Sequence, residues 1–167
     1  MDAIVEFIQG RLFWRILLFL HFSMAVTLLV AVTLQAISVL MPTRQLAIGN
    51  FIERVRPVPP KTVAALIVIL YVPTFLLGCW VYIKYRTYVR IPMEQFGHWW
   101  TVGTFEVKEH VMSFGMALLP AYWWFWRDPL STDFTRERKW LTLFLAFAVW
   151  YAFVVGHTAN DFRGVGS

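Results

Sequence analysis

Residues 13–29 read FWRILLFLHFSMAVTLL. The stretch is apolar except for its small hydroxyl residues, the arginine near its start and His21 in its middle. From Ile16 it continues as a longer run without Asp, Glu, Lys or Arg, Ile16 to Met41. A helix needs about 20 apolar residues to cross a bilayer. The run exceeds the ~7–15 residues of a signal-peptide core. No small-residue cleavage pattern follows it, so it reads as a retained transmembrane helix.

Working outward, three more apolar runs follow: Val63 to Ile83, Val111 to Trp126 and Trp140 to Val155. Pro42 closes the first run, and Lys84, Arg86 and Arg90 close the second. The sequence therefore predicts an all-α fold, an integral membrane bundle of four transmembrane helices forming one domain. The helices are expected at about 12–41, 62–85, 106–126 and 139–157, joined by interfacial connections 42–61, 86–105 and 127–138. The middle of the first connection, QLAIGNFIERV, suits a short interfacial helix. Pro73 and Pro120 fall inside helices two and three, where kinks are expected.

The composition agrees with a membrane protein. Of 167 residues, 59% are hydrophobic and only 15% charged, against about a quarter charged in soluble domains. Nine tryptophans and fifteen phenylalanines suit membrane–water interfaces and lipid contact. The net charge of +5 fits basic residues meeting lipid headgroups and implies no nucleic acid. Cys79 is the single cysteine, so no internal disulfide forms. No P-loop, dinucleotide glycine pattern, CxxC or HExxH is present.

Four crossings place both termini on one side, here called side A. His21, His98, His110 and His157 then all fall in the side-A half. Seven Lys and Arg lie on side A against eight on the other, side B. That split sets no orientation by the positive-inside rule. The short N-terminal tail without a cleavable signal favours cytoplasmic termini, in a membrane of the bacterial inner-membrane type.

A histidine inside an apolar helix must find a partner, and intramembrane ionisable groups mark functional sites. At 100° per residue, Trp14, His21, Ala25, Leu28, Val32 and Gln35 share one face of helix one. One reading makes His21 an axial ligand to haem iron, since neutral imidazole is a common haem ligand. Ala25 would admit a flat porphyrin, and Arg11 and Arg15 could meet its propionates. The competing reading is a hydrogen bond to a neighbouring helix or a lipid headgroup. The second axial ligand would be His110 or His157. His157 lies near the membrane surface, and His110 is deeper if helix three begins near Thr104.

A second constellation is TFEVKEHV, residues 104–111. Glu106 and His110 are four apart and share a helix face, and Asp161 follows His157 by the same interval. Such a set suits a non-haem metal or proton transfer to a quinone. It equally suits a solvated helix start, where acids meet the helix dipole. The block AYWWFWRDP, residues 121–129, reads as an aromatic belt on side B.

The segment RILLFLHFSMA, residues 15–25, resembles the first helix of four-helix membrane b-type cytochromes of the cytochrome b561-like, hydrogenase-type and copper-resistance-D-like groups. There, too, a basic residue precedes a first-helix histidine and small residues follow. The segment VVGHTA, residues 154–159, is similar to a late helix carrying a haem histidine. The resemblance implies a four-helix bundle with haem b that exchanges electrons with quinone, and its matching positions are His21 and His157. Helix two carries no histidine, so one haem at most is expected.

Three functions follow. The first is a haem b electron-transfer subunit of a membrane complex. The second is a non-catalytic integral subunit of a respiratory, photosynthetic or oxygenase complex, contacting lipid or pigment. The third is a metal-dependent membrane enzyme using Glu106, His110, His157 and Asp161. Short loops and no extramembrane domain favour a subunit, with other subunits and the lipid bilayer as partners.

Overall fold

The computed structural model describes residues 10–40, 60–129 and 131–162, the side chains of 160–162 excepted. The expected interfacial helix at 45–55 and the side chain of Asp161 lie outside the described residues. Every element described is helical: α1 (Arg11–Leu40), α2 (Pro60–Tyr85), a π-helical turn (Arg86–Arg90), α3 (Ile91–Gln95), α4 (Trp99–Phe125) and α5 (Thr135–Phe162).

The local sequence explains the boundaries. Pro60 opens α2, a position where its missing N–H would be unpaired anyway. Gly97 takes φ 78° after α3. Its N–H donates to the Glu94 carbonyl, and the His98 N–H donates to the Met93 carbonyl. That pairing is the Schellman ending, which needs a left-handed residue at this point. Both α2 and α4 continue through their internal prolines.

Residues 86–105, expected as a connection, are instead largely helical. The chain turns through the π-helical segment and α3, and α4 starts at Trp99 rather than 106. The reason is burial. Val102 and Phe105 pack with Tyr85, Val89 and Met93 in a small apolar cluster, and that packing carries the helix further back than its apolar run.

Helix α1 packs against α2 and α5, and α4 packs against the same two. The four long helices thus form a ring in which α1 stands diagonal to α4. Leu28, Val32, Ala64, Ile67, Tyr71, Leu119, Tyr122 and Leu145 fill the side-B half of the interior. Outside, Phe19, Ile69, Phe114 and Phe147 are exposed. Three segments, Arg11–Leu40, Pro60–Gln95 and Thr135–Ala159, are long and apolar enough to cross a membrane. Helix α4 is set apart by Glu106, Lys108, Glu109 and His110 in its first half.

Candidate functional site

The side-A half of the ring is hollow. A cavity of about 450 Å³ lies there, bordered by α1, α2, α4 and α5. Its floor is Leu28, Met112 and Val149. Small side chains leave the room: Ala25 on α1, Gly78 on α2, and Ala152 and Gly156 on α5.

His21 borders this cavity. Its ring lies against the backbone of α2, where a methyl on Gly78 would stand 3.2 Å from His21 Cε1. His21 Nδ1 is buried and faces the Thr74 backbone of α2. Thr74 Oγ1 and Tyr85 Oη, on two further residues that line the cavity, are buried with no hydrogen-bond partner among the described residues. Buried polar atoms are nearly always paired, so two such hydroxyls beside one cavity suit a site that receives a ligand.

His157 borders the same cavity from α5, its ring parallel to Phe153 at 6.3 Å. Phe153 in turn meets Phe22 of α1 at 6.0 Å. That contact sets the depth of the two histidines. His21 is next to Phe22, and His157 is one turn beyond Phe153, so their backbones differ by about 5 Å along the bundle. Arg15 lines the cavity one and a half turns toward side A.

The other sequence candidates lie elsewhere. His110 is exposed, and its Nδ1 donates to the Glu106 carbonyl of its own helix at 2.7 Å. The Glu106 carboxylate pairs with Arg90 at 2.9 Å, and Arg90 also holds Glu94 at 2.7 Å. Glu106 and His110 therefore share a helix face without their side chains converging. Among the described residues, no group of three or more His, Cys, Asp or Glu is placed to hold a metal ion.

Sequence reasoning missed one pair. Lys108 and Glu109 line the cavity, joined at 2.6 Å, with side chains 14% and 27% exposed. Lys108 Nζ also sits 3.7 Å from the centre of the Phe105 ring. Read as the first turn of a helix, these residues are an ordinary solvated start. Because α4 begins at Trp99, they fall in its third turn, inside the bundle. The aromatic run WW at 99–100 was the signal, since it extends the helix toward the interface.

Helix α4 brings Phe105 onto Tyr85, the rings stacked at 3.8 Å, with Tyr82 beside both. The cavity is thus apolar in its walls, aromatic at its side-A end and charged on the wall diagonal to His21. The chain matches no known family, no curated protein and no solved structure.

Proposed function

We propose that this chain is the membrane subunit of a redox complex, holding one haem b between His21 and His157 and passing electrons to or from a quinone. The observation that carries the reading is that His21 and His157, from different helices and at similar depth, border one cavity.

The residues present fit the group. The imidazoles of His21 and His157 would hold the haem iron, and Arg15 at the outer part of the cavity would suit a propionate. Gly78 makes room for the His21 ring, and Ala25 keeps α1 clear of a flat group beside it. The walls are mostly apolar, which suits the electron-transfer role that haem would supply when bound. His110, turned outward and tied to its own helix, is not a ligand in this reading.

The reading takes all four long helices as crossing the bilayer, with both termini on the cytoplasmic side. Helix α4 supplies the fourth crossing. Its charges are compatible with that because Lys108 and Glu109 neutralise each other and Glu106 pairs with Arg90. An intramembrane charge that is paired and turned to a cavity costs far less than one facing lipid.

A second reading has one specific support. The stacked Tyr85 and Phe105 rings, beside the unpartnered Tyr85 hydroxyl, suit a quinone head in the cavity itself.

The test is the visible spectrum of the purified chain, oxidised and dithionite-reduced, with a pyridine haemochrome assay. A reduced b-type α-band lost in His21→Ala and His157→Ala, and kept in His110→Ala, supports the haem reading. A featureless spectrum overturns it, and quinone co-purifying in its place supports the second.

A further inference from the structure

The side-B end of the bundle holds a second cavity of about 430 Å³, between the start of α2 and the α4–α5 turn. Lys61 and Arg127 bring cations to it, and Asp128 and Asp133 bring carboxylates. Trp124 and Phe134 line it and are 61% and 54% exposed.

The turn that forms this cavity is held in shape. Arg138, buried beneath it, donates to the Asp128 carbonyl at 2.7 Å and to the Ser131 carbonyl. Phe134 adopts φ 58°, a conformation that crowds the Cβ of a non-glycine residue against the following carbonyl. Its ring meets Phe125 at 5.1 Å. The Arg127 guanidinium lies over the Trp124 ring at 4.9 Å. A strained residue kept in place by its surroundings often marks a binding site.

Position and charge together name the ligand class. The cavity sits where apolar helices end, among tryptophans that favour the headgroup region. Among its described lining residues, Asp133 sets a carboxylate beside the cations Lys61 and Arg127, which suits a ligand that carries both signs. We infer that this cavity seats the headgroup of a zwitterionic phospholipid with a primary ammonium. The phosphate lies against Lys61 and Arg127, the ammonium against Asp133, and the acyl chains follow the exposed apolar flank of the bundle. The inference does not depend on the haem reading.

The test uses the purified full chain and native mass spectrometry after exchange with phosphatidylethanolamine, phosphatidylcholine or phosphatidylglycerol. The expected result is preferential retention of phosphatidylethanolamine, reduced about fivefold for each cation removed in Lys61→Gln and Arg127→Gln. Asp133→Asn is expected to erase the preference over phosphatidylcholine, whose methylated nitrogen donates no hydrogen bond. Lys139→Gln, outside the cavity, serves as the control and leaves retention unchanged. Equal retention of the three lipids overturns the inference. So does preference for phosphatidylglycerol, or displacement of the lipid by inorganic phosphate.

Discussion

The Tyr71 hydroxyl reaches from α2 to α4 and donates to the Met112 carbonyl at 3.0 Å. It lies directly beneath the cavity floor, and Gly115 on α4 makes room for it. A methyl at Gly115 would collide with Tyr71 Oη and stand 2.9 Å from Cζ.

Gly115→Ala is therefore expected to destabilise the bundle by about 1–3 kcal/mol through overpacking. Tyr71→Phe alone should cost about 0.6 kcal/mol, the typical worth of an interhelical hydrogen bond in a membrane. Combined, the two changes should cost less than their sum, because the hydroxyl is gone but Cζ still crowds. Thermal denaturation in mild detergent checks this. Strict additivity would show that Tyr71 and Gly115 do not share the space described.

The His21 ring rests on α2 at Gly78, so bulk at 78 acts on the proposed ligand directly. Gly78→Ala is expected to shift the reduced spectrum, and Gly78→Val to lower haem per chain, with helix content unchanged. Haemochrome stoichiometry and circular dichroism separate the two effects. Full haem loading in Gly78→Val would mean the ring does not hold iron from this position.

Arg138 is 6% exposed and satisfies two backbone carbonyls in the α4–α5 turn. Arg138→Met should cost about 2–3 kcal/mol, since buried acceptors lose a charged donor. Arg138→Lys should recover only part, because an ammonium lacks the planar fork. Melting temperatures of the two variants give the comparison.

Glu106 and His110 are expected to be nearly silent. The Arg90–Glu106 pair is partly exposed, its side chains 29% and 42% accessible, and such solvent-screened pairs add little to stability. Glu106→Gln and His110→Ala should leave both stability and cofactor content close to wild type. Loss of a bound metal in either variant, measured by elemental analysis, would restore the non-haem metal site.

Much of the architecture was legible in the chain. Uncharged runs such as Ile16 to Met41 leave a helix as the structure that satisfies its own backbone in lipid. The spacing of Trp14, His21, Ala25, Leu28, Val32 and Gln35 set the expected inward face of α1, of which Trp14 stays half-buried under Lys84. In the structure Leu28, Val32 and Gln35 are buried and His21 and Ala25 line the cavity. The start of α4 was not legible, because it depends on Phe105 meeting Tyr85, a contact between distant parts of the chain. The same contact turned Lys108 and Glu109 from a surface start into a cavity wall.

The sequence by itself determined that this is a helical chain with segments long and apolar enough to cross a membrane and one histidine inside such a helix. Those are properties of single segments, fixed by local hydropathy and backbone hydrogen bonding. Only the tertiary structure decided that His157 rather than His110 shares a cavity with His21. That choice depends on the rotation and depth of α4 and α5. The Phe22–Phe153 contact, the Tyr71–Met112 hydrogen bond and the space at Gly78 and Gly115 set both, and each joins residues on different helices.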